Sequence, residues 1–349
     1  MTNLPSSNGA STLKAKDFAT DQEVRWCPGC GDYSILKQVQ TVMAEFGLDK
    51  DHVAVISGIG CSSRFPYYMD TYGMHSIHGR APAIVSGLRI ANPELSIWMV
   101  TGDGDGLSIG GNHLLHILRR NFDVNIMMFN NQIYGLTKGQ YSPTSEVDKY
   151  TKSTPMGSLD YPVNPLAFAM GAGGTFIARS LDRDPIHMKD MLRRSQAHRG
   201  TSFLEIYQNC NIFNDGAFFP FTEKDTKKAN GLYMEQDQPL IFGENDEYGI
   251  RLDGYKPEIV SMTDGSFSPA DLWIHDERDM FKAQMLTRFF DDPHHKEQGY
   301  FPRPFGVLFE TERPCYEDLL HRQIETAKSK KGFGDLDQLL RGNATWEIV

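Results

Sequence analysis

The chain has 349 residues, 40% hydrophobic and 23% charged, enough for one large or two modest cores of the soluble type. Its 45 acidic residues outweigh 35 basic ones, and the net charge of −10 argues against a nucleic-acid partner, whose phosphates need a basic face. No apolar run reaches the roughly 20 residues that span a membrane, and residues 1–20 are rich in Ser, Asn, Thr and Ala with no apolar signal core, so a flexible arm, no membrane contact and a cytoplasmic protein are expected.

In chain order, Trp26-Cys27-Pro28-Gly29-Cys30-Gly31 reads as a tight turn that presents two thiols. Its glycines let backbone amides point inward, as a negatively charged metal–thiolate centre requires. Asp32 is suited to cap a helix running through Lys37, Val39 and Met43. Residues 53–57 read as a buried strand entering Gly58-Ile59-Gly60-Cys61-Ser62-Ser63-Arg64, a glycine-rich turn with the third cysteine. After Tyr67 and Tyr68 comes His75-Ser76-Ile77-His78-Gly79-Arg80, then a short helix over 82–90, broken before Asn92-Pro93.

A strand over 95–101 delivers Gly102-Asp103-Gly104-Asp105-Gly106, a helix over 109–120 follows, and an apolar run over 124–129 delivers Asn130-Asn131. This is a βαβ unit with polar side chains at the ends of both strands. Carboxylate and amide oxygens suit Mg²⁺, and the glycines allow close backbone approach to a diphosphate. Asp103 and Asn131 are 28 positions apart, about one crossover. An ordinary Asx-rich turn is the plainer reading of the acidic stretch alone, and the Asn pair one unit later weighs against it.

Residues 139–165 are polar and Pro-rich, a long loop of the kind that is functional or tied to a partner. A helix over 166–171, a strand over 175–178, a helix over 186–197 and a buried strand over 202–207 lead to Gln208-Asn209-Cys210. The alternation predicts an α/β fold, a mostly parallel sheet flanked by helices, with ligands at the carboxyl ends of the strands. The expected division is an arm (1–20), a cofactor-binding domain (21–220) and a C-terminal extension (221–349) that wraps the core or a partner. Within the extension, 239–242 and 305–310 read as strands and 316–328 as an amphipathic helix ending in a basic patch.

Five cysteines in an intracellular chain are not a disulfide framework. Cys27, Cys30, Cys61 and Cys210 lie at glycine-rich turns or strand ends; Cys315 does not. Four thiolates hold zinc or a [4Fe–4S] cluster, and one close pair joined by two remote cysteines is less like a zinc ribbon than like a cluster gripped by separate parts of a fold. Unrelated buried thiols are the third reading.

The CxxC head, the GIGCS turn, the HGR segment, GDGD, NNQIYGLTKGQ and a cysteine after a strand occur here in one order. Together they closely resemble the β subunit of 2-oxoacid:ferredoxin oxidoreductases over about residues 24–220, and YGLTKGQYSPTS looks most like the 2-oxoglutarate branch. The resemblance implies the diphosphate-binding half of a thiamine diphosphate fold, with thiamine diphosphate, Mg²⁺ and one [4Fe–4S] cluster. By it, Asp103 and Asn131 ligate Mg²⁺ through side chains and Ile133 through its carbonyl. Gly104 and Asp105 lie near the diphosphate with Gly135 and Leu136 closing over it, while Ile59, Gly60, Cys61 and Ser62 touch the coenzyme. Cys27, Cys30, Cys61 and Cys210 hold the cluster.

His78 is then a candidate donor to the coenzyme or an oxyanion; Arg64 could reach a substrate carboxylate, and Lys138 handle substrate or CoA. The plain alternatives are a helix-start histidine and two solvated cations. His113 and His116 read as helix-face residues, not ligands. The implied reaction converts 2-oxoglutarate, CoA and oxidised ferredoxin to succinyl-CoA, CO₂ and reduced ferredoxin; pyruvate, branched-chain 2-oxoacids or a non-oxidative lyase are the alternatives. No second thiamine-binding domain is discernible, so an α subunit is expected to supply the glutamate for the aminopyrimidine, much of the substrate pocket and the CoA site, in an αβ heterodimer or its dimer.

Overall fold

A strand buried along its whole length belongs in a sheet covered on both faces, and such stretches of this chain include β1 (Val53–Ser57), β4 (Val124–Asn130) and β6 (Thr201–Tyr207). In the computed structural model, which describes residues 13–291 and 299–346, they lie in an eight-stranded sheet with β2 (Tyr72–His75), β3 (Ser96–Gly102), β5 (Phe176–Leu181), β7 (Gly231–Tyr233) and β11 (Arg303–Glu310). The order is β2-β1-β3-β4-β6-β5-β11-β7. All neighbours are parallel except β11, which runs antiparallel to β5. A separate three-stranded antiparallel sheet joins β8 (Ile241–Phe242), β9 (Tyr248–Asp253) and β10 (Lys256–Ser261).

Successive strand residues face opposite sides, and two cores result. Val53, Val55, Trp98, Val100, Met127 and Phe129 pack with residues of α1 (Asp32–Glu45) and α5 (Pro185–Ala197). Ile56, Ile97, Met99, Ile126 and Met128 pack with α2 (Ala81–Ala91), α3 (Gly111–Arg120) and α4 (Pro165–Gly171). The expected α/β class holds.

Four local expectations need correction. Strand β2 was not expected: it is short and three of its four residues are exposed at the sheet edge, so it lacks the apolar run that marks a buried strand. Asp32 does not cap α1 but is its first residue, with a buried carboxyl group that no nitrogen or oxygen donor among the described residues reaches. A π-turn (Asp105–Ile109) precedes α3 where a regular helix was expected to begin. Of the predicted arm, residues 1–12 lie outside the described residues, but 13–20 pack down: Phe18 is fully buried and its carbonyl accepts from the backbone of Asp70 at 2.8 Å.

The C-terminal extension does more than wrap the core. Its strands β7 and β11 enter the main sheet, where Arg179 on β5 meets the carbonyl of Pro304 at 3.1 Å. Trp273, Leu286 and Phe289 join the same core as α2 and α3. The helix Tyr316–Lys331 is nearly all exposed beyond its first turn, where Tyr316 packs against Phe122 and Glu317 is buried.

Candidate active site

Strand register aligns the loops that carry chemistry. Ser57 pairs with Val100, Gly102 with Phe129 and Asn130 with Tyr207, so the turns after β1, β3, β4 and β6 lie side by side at the carboxyl edge. The chain leaves β1 for β2 on one side and β3 on the other, which opens the switch-point crevice where parallel sheets bind ligands.

Asp105 is the hub of that edge. Its Oδ1 accepts from the backbone N–H of Ile59 at 3.0 Å and of Gly79 at 2.7 Å, and contacts His78 Nδ1 at 2.6 Å; Thr101 donates to Oδ2 at 2.8 Å. A β-carbon on Gly58 would lie 2.0 Å from Asp105 Oδ2, so only glycine admits this approach. The sequence reading set Asp105 beside a diphosphate. Its carboxylate faces inward, where it holds the Gly58–Cys61 turn and the His78-Gly79-Arg80 segment together. His78 keeps Nε2 for other work, its ring edge-on to Tyr134.

Asp103 is buried and burial pushes its carboxyl group up, against the lowering hydrogen bonds of Ser142 and Thr144. Thr144 Oγ1 approaches Asp103 Oδ2 at 2.6 Å and Asn130 Oδ1 at 2.9 Å. The long loop therefore returns to the acidic turn, 39 and 41 positions away in sequence. Asn130 is structural: it donates to Glu205 at 2.7 Å, and Glu205 is held by Arg179 at 2.7 Å inside the sheet. Asn131 directs its amide N–H at Gln208 Oε1 (2.8 Å) and accepts from the N–H of Ile133 (3.2 Å). Tyr134 lies over Gly104 and donates to its carbonyl at 3.1 Å.

Four thiols gather beside this edge. A β-carbon on Gly135 would be 3.4 Å from Cys61 Sγ and 3.6 Å from Cys210 Sγ. Cys30 feels the charges of Cys61 and Cys210, and Cys61 those of Cys210 and Cys27. Trp26 donates to the carbonyl of Cys61 at 2.7 Å, and Asn211 donates to that of Pro28 at 2.6 Å, so both remote cysteines are tied to the CxxC turn. Burial, then Asp32, raises the thiols of Cys30 and Cys61, the latter to about 12. Such thiols ionise when a metal centre takes the charge. Asp32 itself is raised to about 7 by burial and by Asp182, and Asp182 to about 6 by burial. Cys315 is buried elsewhere, at the start of the helix Tyr316–Lys331.

Among the described residues, no three His, Cys, Asp or Glu side chains converge tightly enough for a single metal ion. Four thiolates are a donor set for either a tetrahedral zinc ion or a [4Fe–4S] cluster. For Mg²⁺, Asp103, Asn131 and the Ile133 carbonyl form an all-oxygen donor set of the right hardness. For a diphosphate coenzyme, Gly60 has φ +137° and open space where a side chain would be. Ser62 is buried against Gly102, 3.6 Å from where that glycine's β-carbon would be, and Leu136 is half exposed at the rim.

The three cationic candidates differ. Arg64 is half buried and bonded to Tyr68 Oη at 2.9 Å, while Lys138 is exposed, with φ +75° and no ion pair among the described residues. His113 and His116 line a cleft between α2 and α3. Sequence reasoning missed Ser142, Thr144, Tyr134, Asp182, Trp26 and Gln208. The signal for the first two was the hydroxyl run Ser142-Pro143-Thr144-Ser145 in a loop already marked as functional.

Residues 58–206 match the thiamine pyrophosphate enzyme C-terminal TPP binding domain. The chain is 48% identical over 339 residues to the 2-oxoglutarate oxidoreductase subunit KorB of Mycobacterium tuberculosis, covering 96% of this chain and 88% of that one. It is 44% identical over 198 residues to the β subunit of 2-oxoacid:ferredoxin oxidoreductase 1 of Aeropyrum pernix, covering 57% of this chain and 62% of that one. Among solved structures, a 2-oxoglutarate:ferredoxin oxidoreductase from Magnetococcus marinus, with 2-oxoglutarate, coenzyme A and succinyl-CoA bound, matches with TM-score 0.74 and 31% identity over 95% of this chain and 96% of that one.

Proposed function

Because the chain belongs to the family of 2-oxoacid:ferredoxin oxidoreductase β subunits, we propose that it is the thiamine diphosphate-binding subunit of a 2-oxoglutarate oxidoreductase. The observation that carries this reading is the match to relatives named for 2-oxoglutarate along nearly the whole chain, extension included. The reaction is 2-oxoglutarate, CoA and two oxidised ferredoxins giving succinyl-CoA, CO₂, two reduced ferredoxins and a proton.

Thiamine diphosphate, when bound, supplies the electron sink for decarboxylation of the 2-oxoacid. The chain's own residues bind and orient. Asp103, Asn131 and the carbonyl of Ile133 would hold Mg²⁺ at the diphosphate, with Gly104, Gly135 and Leu136 around it. Asp105 fixes the Gly58–Cys61 turn, so Ile59, Gly60 and Ser62 can flank the coenzyme without being its charged ligands. His78 is held through Nδ1, which leaves Nε2 to exchange a proton or donate to a developing oxyanion. Arg64 is the candidate for the substrate carboxylate and Lys138, at the exposed rim, for substrate or CoA. Cys27, Cys30, Cys61 and Cys210 would hold one [4Fe–4S] cluster, through which electrons leave singly for ferredoxin.

Membership of a β-subunit family implies an α partner. The exposed Tyr72, Met74 and Ile77 beside the sheet edge, and Met156, Leu159 and Tyr161 on the long loop, are apolar surface available to it. We assign cofactor binding to residues 21–220, support of the sheet and partner contact to 221–349, and assembly as αβ or its dimer. No helix among the described residues is long and apolar enough to cross a membrane, in keeping with a cytoplasmic enzyme.

Steady-state assays of the anaerobically purified α/β complex with 2-oxoglutarate, pyruvate and branched-chain 2-oxoacids test the substrate. Preference for 2-oxoglutarate is expected, with no turnover by this chain alone. A complex that favours pyruvate would contradict the substrate assignment, and turnover by the lone chain would contradict the division of labour.

A further inference from the structure

Gln208 follows the last residue of β6 and is buried. Its side chain touches both halves of the site. Oε1 accepts from Asn131 Nδ2 at 2.8 Å, while Nε2 donates to Cys30 Sγ at 3.2 Å and to the carbonyl of Asn209 at 2.6 Å. Its backbone N–H donates to the carbonyl of Asn130 at 2.9 Å. A carboxamide has two N–H donors and one oxygen, and both donors and the oxygen are engaged. Turning the amide over would set NH₂ against NH₂ at Asn131 and oxygen against sulfur at Cys30, so its orientation is fixed.

We propose that Gln208 is a positioning residue that couples the magnesium site to the thiol cage; this rests on the reading above that Asn131 ligates Mg²⁺ and Cys30 a [4Fe–4S] cluster. Towards the magnesium site, Gln208 occupies the NH₂ end of Asn131 and so presents its oxygen as the ligand end. A partner that orients a metal ligand in this way typically costs roughly 10–100-fold in metal affinity when lost. Towards the cage, an N–H directed at a ligating sulfur disperses negative charge and favours the reduced cluster. One buried side chain thus sets ligand geometry at one centre and electron affinity at the other. A mere packing residue would do neither.

The test compares wild type, Gln208→Glu and Gln208→Met in the anaerobically purified α/β complex. Iron and sulfide content, a redox titration followed by electron paramagnetic resonance, and Mg²⁺-dependent binding of thiamine diphosphate are measured, with thermal stability as a control. Gln208→Met removes both contacts; Gln208→Glu keeps the acceptor for Asn131 and loses the donor to Cys30. Both variants are expected to retain iron and to show a more negative potential, with the reduced-to-oxidised ratio at a fixed poise falling about tenfold, or 59 mV for one electron. Only Gln208→Met is expected to weaken Mg²⁺, by roughly 10–100-fold. If Gln208→Met does not fold, Gln208→Leu, which also removes both contacts and adds no charge, takes its place. Wild-type potential and Mg²⁺ affinity in the variants, or a change in melting temperature alone, would overturn the proposal while leaving both cofactor sites standing. A wild-type complex without iron would overturn the cluster reading and this proposal together.

Discussion

Trp26 and Cys61, 35 positions apart, are joined by a 2.7 Å hydrogen bond from the indole N–H to the backbone carbonyl. Two residues earlier in the same turn, the N–H of Ile59 is held by Asp105. One short turn is thus gripped from the thiol side and from the acidic side, and the two halves of the site share a wall. On the proposed reading, that wall would lie between the coenzyme and the cluster.

Asp105→Ala leaves the N–H groups of Ile59 and Gly79 and the ring of His78 without their acceptor. A stranded buried donor costs about 1–3 kcal/mol. We expect a loss of about 3 kcal/mol, read as a lower urea midpoint with unchanged slope, and a smaller loss for Asp105→Asn, which keeps one oxygen.

Arg179→Met leaves Glu205 charged, without its cation and with only the Asn130 amide to bond it, in the sheet where both side chains are nearly inaccessible. Removing one partner of a buried pair costs about 3–5 kcal/mol. Denaturant unfolding should register this, and the double variant Arg179→Met with Glu205→Leu should recover part of it. No recovery would mean that Glu205 acts mainly through Asn130.

Much of this was legible in the sequence. β1, β3 and β4 are apolar runs ended by Gly or Asn, and β6 is one ended by Gln208-Asn209, so both the strands and the turns after them stood out. β11 was recognisable as a strand, but its place beside β5 joins residues such as Arg179 and Pro304, 125 positions apart, which no local pattern encodes. The sequence set Asp105 near a diphosphate but not the direction of its carboxylate, because an acidic residue between glycines reads the same facing inward or outward; in the fold Gly58, Ile59 and Gly79 close around that carboxylate. Gln208 is invisible for the same reason, since its partners Cys30 and Asn131 are 178 and 77 positions away.

The carboxyl groups of Asp32 and Asp182 are raised from 3.8 to about 7 and about 6. A raised folded-state value stabilises the fold below the unfolded value and loses that contribution as pH climbs through the folded value. In the metal-free chain the contribution of these two groups should therefore be fully present near pH 4 and be lost, on the order of a few kcal/mol, by about pH 8. Asp32→Asn should flatten the profile and raise stability at the alkaline end. An unchanged profile in urea titrations across this range would contradict the assignment.

The cysteines should divide four to one. Cys61→Ala and Cys210→Ala are expected to lose iron and sulfide and to bleach the visible absorbance, while Cys315→Ala keeps both. Loss of iron in Cys315→Ala would overturn the composition of the cage.

The most direct test is rapid-freeze electron paramagnetic resonance of the anaerobic α/β complex after mixing with 2-oxoglutarate and CoA. A reduced [4Fe–4S] signal that needs thiamine diphosphate and is absent from Asp103→Ala, with iron content unchanged, is the predicted result. A cluster that stays oxidised in the fully loaded wild-type complex, or that is reduced equally well in Asp103→Ala, would contradict the shared wall.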